Sequence, residues 1–169
     1  MLIVIGGLPG TGKTTLSRLL ATRIGGVHLR IDTIEQAIVD SGLAGHPVGA
    51  AGYAVGYALA ADHLAQGLTV IAESVNPLGV TRDSWRDVGT KAAAPVVEVE
   101  VVCSDPAEHR ARVGGRASDI PGLPLPDWQQ VVARDYEPWD RDHVVIDTVG
   151  QTPEASLAVL LASVVERLR

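Results

Sequence analysis

With 169 residues, of which 46% are hydrophobic, the chain is long enough for one globular domain with a sizeable core. The formal net charge of −6 gives it no electrostatic reason to bind nucleic acid or an anionic membrane. The single cysteine, Cys103, cannot form an internal disulfide, and no stretch approaches the ~18 apolar residues of a membrane span. We therefore expect a cytoplasmic protein without a membrane partner.

The chain begins with an apolar strand that runs directly into a glycine-rich loop. The sequence Gly7-Leu8-Pro9-Gly10-Thr11-Gly12-Lys13-Thr14 is a G-x-x-x-x-G-K-[ST] phosphate-binding motif, with a strand before it and a helix after it. Lys13 is expected to reach the β- and γ-phosphates of a nucleotide, and the Thr14 hydroxyl to bind Mg²⁺. We predict nucleoside triphosphate binding by Gly10, Thr11, Gly12, Lys13, Thr14 and Thr15.

Strands and helices alternate along the rest of the chain. Strands are predicted over residues 2–6, 27–31, 69–73, 96–103 and 143–146, and helices over 13–24, 32–41, 50–66 and 81–94, with others starting near 106, 128 and 153. This order is typical of a parallel sheet with helices on both faces and a site at the carboxyl ends of its strands. Glu98 and Glu100 do not fit, because they place two carboxylates on one face of a strand that should be buried.

Two carboxylates follow predicted strands at the edge where the site is expected. Asp32 could accept the proton of an acceptor hydroxyl and orient that hydroxyl toward the γ-phosphate. Its spacing to Glu35 also predicts a capping box for the next helix. Glu73 ends the apolar run Val70-Ile71-Ala72, as in a Walker B strand whose carboxylate holds Mg²⁺, although an ordinary strand-end carboxylate is the alternative.

Further candidates surround these carboxylates in the predicted fold. Asn76 and Arg82 follow the third strand and are candidate substrate ligands, although Arg82 could equally be a solvated surface arginine. Tyr53 could line an acceptor pocket or pack against the sheet. Arg110, Arg112 and Arg116 precede a Gly/Pro-rich stretch, which predicts a lid over residues 108–126. Arg116 is the favoured γ-phosphate contact, and Arg110 or Arg112 could stack on the nucleotide base.

With these residues placed, the chain resembles the small P-loop kinases of the zeta-toxin, chloramphenicol phosphotransferase, gluconate kinase and adenylyl-sulfate kinase group. The resemblance is carried by Gly7–Thr14, Asp32, Val70–Glu73 with Asn76 and Arg82, the three lid arginines, and the segment Trp128…Tyr136-Glu137-Pro138-Trp139. It implies one kinase domain over residues 1–169 and a three-layer α/β P-loop NTPase fold. The implied sheet is parallel and five-stranded in the order 2-3-1-4-5, with an Arg-containing lid.

The implied activity is ATP- and Mg²⁺-dependent phosphorylation of a small-molecule hydroxyl, with Asp32 as the base and Lys13 and Arg116 as further catalytic residues. The Asp-Gly-Asp pattern usual in adenylyl-sulfate kinases is absent, since Leu29-Arg30-Ile31-Asp32 stands there, so a nucleoside, sugar or antibiotic acceptor stays open. A nucleoside monophosphate kinase and a non-enzymatic ATP-binding switch are the alternatives. The sequence does not distinguish a monomer from a homodimer, or ATP from GTP.

Overall fold

The computed structural model describes residues 1–168, in which five strands alternate with seven helices. In chain order the elements are β1 (Leu2–Gly6), α1 (Lys13–Ile24), β2 (Val27–Arg30), α2 (Ile31–Asp40), α3 (Ala51–Ala65), β3 (Val70–Glu73), α4 (Gly79–Lys91), β4 (Val96–Val102), α5 (Pro106–Gly115), α6 (Trp128–Val132), β5 (Val144–Asp147) and α7 (Pro153–Glu166). Across residues 1–168, no helix has the length and apolar character needed to cross a membrane.

The strands form one parallel sheet in the order β2-β3-β1-β4-β5, which confirms the predicted order. Ile5 on β1 and Arg30 on β2 are both in register with Glu73 on β3. The carboxyl ends of these three strands therefore lie side by side, and the loops that follow them meet at one edge of the sheet.

Helices cover both faces of the sheet because side chains alternate along its central strand. Ile3 and Ile5 of β1 pack in one core cluster with Leu16 and Leu20 of α1 and Leu160 of α7. Leu2 and Val4 face the opposite side and share a second cluster with Ala60 of α3 and Trp85 of α4. Two cores around one sheet give the three-layer α/β architecture expected from the sequence.

The helix boundaries confirm most of the capping signals. Asp105 accepts hydrogen bonds from the first turn of α5, and Asp127 forms a capping box with Gln130 at the start of α6. The capping box predicted for Asp32 and Glu35 is wrong, because α2 begins at Ile31 with Arg30 as its N-cap residue and no side-chain cap. Asp32 thus lies in the first turn of α2 with its carboxylate available for other contacts.

The two carboxylates of β4 that share one face of the sheet have polar partners. Glu98 is 6% exposed and lies 3.3 Å from Nη1 of Arg86 on α4. Glu100 accepts a 2.9 Å hydrogen bond from the Tyr136 hydroxyl and lies 3.3 Å from Nε2 of His143. Polar groups of α4 and of residues 136–143 therefore cover this part of the sheet, which accounts for the strand that did not fit the apolar pattern.

Candidate active site

The phosphate loop, residues 7–12, connects β1 to the first turn of α1. Gly7 has a φ of +138°, and a Cβ there would lie 2.2 Å from the carbonyl oxygen of Val101, so a larger residue would displace the loop. Gly12 has a φ of 99° and is the N-cap residue of α1, without a side-chain cap. The N–H groups of the first turn of α1 therefore face the loop and are suited to bind a phosphate.

Lys13 is buried behind this loop and lies close to charges of both signs. It is 8% exposed, and its Nζ donates a 3.1 Å hydrogen bond to the carbonyl oxygen of Leu8. Burial lowers the pKa of Lys13, while the negative charges of Glu73 and Asp32 act to raise it. Arg116 lies near enough that its positive charge also lowers the pKa of Lys13. The ammonium thus faces the region in which the two carboxylates and the lid arginine meet.

Thr14 and Glu73 form the pair predicted to hold a metal ion. The Thr14 hydroxyl donates to Oε1 of Glu73 at 2.5 Å, and Nε2 of His28 lies 2.7 Å from Oε2 of the same carboxylate. Burial alone would raise the pKa of Glu73, but the hydrogen bond with His28 and the charge of Lys13 bring it below its ordinary value. Glu73 is therefore an ionised carboxylate beside a hydroxyl, which is a suitable partial ligand set for Mg²⁺.

No group of three or more His, Cys, Asp or Glu residues within 1–168 could hold a metal ion by itself. This agrees with a Mg²⁺ site that takes one or two protein oxygens and completes its shell with phosphate and water oxygens. Thr14 and Glu73 fit that pattern, since they offer two neighbouring oxygens beside the phosphate loop.

Asp32 lies at the start of α2 and lines the same cavity as the phosphate loop. Its Oδ2 is 3.7 Å from Nη2 of Arg30, the last residue of β2. Arg30 also lies 3.9 Å from Glu73, so one guanidinium contacts both the candidate base and the candidate metal ligand. Asp32 therefore lies at the cavity edge where a proton acceptor for a bound hydroxyl is expected.

The three lid arginines occupy three different environments. Arg112 donates to the hydroxyl of Thr148 at 2.7 Å and to its carbonyl oxygen at 2.8 Å, and it lines the cavity next to the phosphate loop. Arg116 also lines the cavity and donates to the carbonyl oxygen of Pro126 at 3.4 Å. Arg110 is exposed and lies on a separate surface depression with Trp128. The structure thus brings Arg112 and Arg116, but not Arg110, to the predicted site.

The cavity that joins these groups has a volume of about 1020 Å³. The phosphate loop, through Gly10, Gly12, Lys13, Thr14 and Thr15, forms one part of its wall. The first turn of α2, one side of α3, residues 74–84 and the lid form the rest. This volume is large enough for a nucleotide and a second small molecule side by side.

Of the four predicted acceptor ligands, Asp32 and Tyr53 line the cavity, and Asn76 and Arg82 do not. Tyr53 lines the cavity and its hydroxyl accepts a 3.1 Å hydrogen bond from the backbone N–H of Asn76. The Asn76 side chain is fully buried behind the cavity wall. Arg82 is 1% exposed, with its guanidinium 4.7 Å from the ring centre of Trp139 and Nη2 donating to the carbonyl oxygen of Glu137. The side chains of Asn76 and Arg82 are therefore buried inside the protein and do not line the cavity.

Four residues of the site were not predicted from the sequence. They are His28 and Arg30 on Glu73, Glu35 in the cavity wall, and Asp119, which joins the lid to Arg30. His28 and Arg30 had a signal that could have found them, because alternate residues of a strand share one face and Arg30 immediately precedes α2. Glu35 and Asp119 had none, since their roles depend on which distant elements they meet.

The strand–loop–helix motif, the sheet order and the cavity at the strand ends define a P-loop NTPase-type α/β fold. Residues 2–134 match the family model AAA_33, described as an AAA domain, and the chain belongs to this family. No curated protein matches the sequence.

Solved structures with the same fold include several kinases. A candidate kinase from Chloroflexus aurantiacus J-10-fl superposes with a TM-score of 0.73 and 23% identity, covering 98% of this chain and 96% of that one. A gluconokinase from Sinorhizobium meliloti 1021 superposes with a TM-score of 0.68 and 17% identity, covering 97% of this chain and 91% of that one. The Mycobacterium tuberculosis APS kinase CysC, in complex with AMPPNP and APS, superposes with a TM-score of 0.63 and 17% identity, covering 99% of this chain and 96% of that one. At these identities the comparisons establish the fold.

Proposed function

We propose that the protein is an ATP- and Mg²⁺-dependent phosphotransferase that transfers the γ-phosphoryl group to a hydroxyl of a small molecule. The observation that carries this proposal is that Lys13, Asp32 and Arg116 line one cavity, close enough for Asp32 and Arg116 both to perturb the pKa of Lys13. Structures with this fold are named as a gluconokinase and an APS kinase, and the latter was solved with AMPPNP bound, which supports a nucleotide at the phosphate loop.

The cavity wall contains residues suited to hold the nucleotide phosphates and Mg²⁺. The loop N–H groups and Lys13 would bind the phosphates, and Arg112 lines the wall where α5 passes the loop. Thr14 and Glu73 would hold Mg²⁺, which neutralises phosphate charge and orients the β- and γ-phosphates when it is bound.

The transfer step requires a base, a nucleophile and charge stabilisation. Asp32 would accept the proton of the acceptor hydroxyl while the hydroxyl oxygen bonds to the γ-phosphorus. The bond between that phosphorus and the β–γ bridging oxygen breaks, and ADP leaves with the electron pair. Lys13 and Arg116, which both line the cavity, would stabilise the negative charge on the oxygens in transfer.

The positions of the arginines favour a hydroxyl acceptor over a nucleoside monophosphate. That alternative needs guanidinium groups directed at an acceptor phosphate. Arg82 is buried against Trp139 and Arg110 is outside the cavity. Arg30 is bonded to the Asp119 carboxylate and Arg112 to Thr148, and Arg116 is the arginine that we assign to the transferred phosphoryl group. A nucleotide-binding switch would not require Asp32 at the cavity edge.

The first test is a coupled ADP-release assay with Mg·ATP and a panel of nucleosides, nucleotides, sugars and hydroxylated antibiotics. Asp32→Asn should lower turnover by roughly 10²–10⁴ with the stimulating acceptor and keep nucleotide binding. Asp62→Asn, at an exposed acid on α3, is the matched control and should retain turnover. Near-normal turnover of Asp32→Asn would remove Asp32 from the mechanism, and no stimulation by any acceptor despite ATP binding would contradict a small-molecule kinase.

A further inference from the structure

The cavity wall farthest from the phosphate loop is largely aromatic and aliphatic. Tyr53 and Tyr57 lie one turn apart on α3 with ring centres 6.0 Å apart. The opposite wall comes from residues 75–81, including Leu78 and Val80, and from the lid around Leu125. A ligand in a mostly apolar cavity is oriented by the few polar side chains of the wall. The chemistry of those side chains therefore indicates which functional groups the ligand has.

Glu35 is a second carboxylate in the cavity wall, next to Asp32. The two residues are three positions apart on α2, so they lie on the same face of the helix, and both line the cavity. Glu35 packs closely on α3, because a Cβ at Gly52 would come within 2.3 Å of its Cγ and 2.8 Å of its Oε1. Within residues 1–168 no side chain or backbone group forms a hydrogen bond or ion pair with this carboxylate.

The surroundings of Glu35 make its charge costly without a partner. Burial and, to a smaller extent, the nearby charge of Asp32 raise the pKa of Glu35 to about 7, with Arg134 acting in the opposite direction. The other titratable groups around it are Tyr53 on α3 and His46, whose Nε2 lies 3.1 Å from the side-chain oxygen of Gln36. A cation bound between the two carboxylates would relieve both the burial and the repulsion.

No neighbouring arginine forms an ion pair with Glu35 among the described residues, although Arg134 lines the cavity and its charge acts on Glu35. Arg18 and Arg30 both bond to the carboxylate of Asp119 at the lid. Ser74 is a further polar group of this wall. It is 4% exposed and lines the cavity beside Tyr53, and its Oγ has no hydrogen-bond partner within 3.5 Å among the described residues. The wall thus adds one hydroxyl to the two carboxylates.

We propose that the acceptor carries a protonated amine in addition to its reacting hydroxyl, and that Glu35 binds this amine while Asp32 faces the hydroxyl. The chemical class is an amino sugar, an aminocyclitol or a related amino alcohol. The Tyr53 and Tyr57 rings favour the same class, since aromatic faces attract cations. This inference rests on the proposed function, because it assumes that a hydroxyl acceptor occupies this cavity.

Binding is the decisive measurement because it does not require transfer. Titration calorimetry would use the protein loaded with Mg²⁺ and a non-hydrolysable ATP analogue at pH 8. The ligands are matched pairs: glucosamine against glucose and N-acetylglucosamine, and 2-deoxystreptamine against inositol. We expect at least one amine to bind about 10-fold or more tightly than its neutral partners, the size of one charge-assisted contact. In Glu35→Gln the affinities for the amine and for its neutral partners should differ by no more than about two-fold.

A pH series on the unmodified protein keeps the proposal testable if Glu35→Gln does not fold. Because the pKa of Glu35 is about 7, its ionised fraction falls by roughly ten-fold between pH 8 and pH 6. The advantage of an amine that stays protonated over this range, such as a simple amino alcohol with a pKa above about 9, should fall with it. Where Glu35→Gln folds, its own pH series separates Glu35 from His46.

Equal binding of every amine and its neutral partners, an unchanged ratio in Glu35→Gln, or no binding of any amine would overturn the inference. The proposed phosphotransferase would survive that result if a neutral hydroxyl compound stimulates ADP release. Conversely, amine-selective binding that depends on Glu35, without ADP release by any acceptor, would support the inference about the site and contradict the proposed function.

Discussion

The carboxylate of Asp119 accepts two 2.9 Å hydrogen bonds from Nη1 of Arg30, and these bonds tie the lid to the end of β2. Arg18 of α1 donates to the same carboxylate. Arg30 in turn lies 3.7 Å from Asp32 and 3.9 Å from Glu73. One guanidinium therefore connects the position of the lid with the candidate base and the candidate metal ligand.

Asp119→Asn should loosen the lid without altering the sheet. The substitution removes a charge that two arginines share, and charge-assisted hydrogen bonds of this kind contribute about 1 kcal/mol when partly exposed. We expect amide hydrogen exchange across residues 116–126 to become about 3–10-fold faster. Asp135→Asn, at an exposed acid after α6, is the control and should leave this exchange unchanged. Unchanged exchange in Asp119→Asn would show that the lid is held by its other contacts.

Glu73→Gln should weaken the Mg²⁺ dependence of nucleotide binding. The substitution keeps the shape of the side chain but removes the negative charge beside the Thr14 hydroxyl, which is the only protein charge that the pair offers to a cation. We expect the half-saturating Mg²⁺ concentration for nucleotide binding to rise by about 10-fold or more, while metal-free nucleotide affinity changes little. Fluorescence titration of a labelled ATP analogue against Mg²⁺ measures both quantities.

Glu154→Gln, at an exposed glutamate in the first turn of α7, is the matched control for that titration. An identical Mg²⁺ requirement in Glu73→Gln and the unmodified protein would mean that Glu73 serves the structure alone, through its contacts with His28 and Thr14.

The architecture could be predicted from the sequence because its signals are local. The caps at Asp105 and Asp127 and the glycine that ends α1 are recognised within four residues, and the strand–helix alternation fixes the layers. The phosphate loop is also contiguous, so Lys13 and Thr14 could be assigned from the motif.

The acceptor side could not be predicted in the same way, because its geometry depends on contacts between distant segments. Arg82 has a plausible position for a substrate ligand in the sequence, but Trp139 and Glu137, more than fifty residues later, hold its guanidinium inside the protein. Glu35 matches a capping pattern in the sequence, whereas in the structure it packs on Gly52 of α3 and lines the cavity.

Glu137→Ala should affect the acceptor rather than the nucleotide. Oε2 of Glu137 accepts a 2.5 Å hydrogen bond from the N–H of Gly79, and its backbone N–H donates to Pro77 at 2.8 Å, so Glu137 fixes the loop that lines the acceptor wall. We expect KM for the acceptor to rise by about 3–30-fold, with little change in nucleotide affinity. Asp140→Asn, three residues later and exposed, serves as the control. Equal losses in nucleotide and acceptor binding would indicate general unfolding instead.

Arg116 and Arg110 provide a matched pair within the lid. Both belong to the predicted arginine cluster, but only Arg116 lines the cavity, while Arg110 lies on the surface beside Trp128. Burial lowers the pKa of Arg116 and the charge of Asp32 raises it, so the guanidinium lies close to the candidate base. We expect Arg116→Ala to lower kcat by about 10²-fold or more, because a cation facing the transferred phosphoryl group acts mainly in the transition state.

Arg110→Ala should keep kcat within about two-fold, as an exposed substitution outside the site. Single-turnover phosphoryl transfer with the best acceptor separates the chemical step from product release in both variants. Similar losses in the two variants would show that the cluster acts through its overall charge. A loss confined to Arg110→Ala would mean that the lid closes with a different face toward the nucleotide. Either result would contradict the assignment of Arg116 to the transferred phosphoryl group.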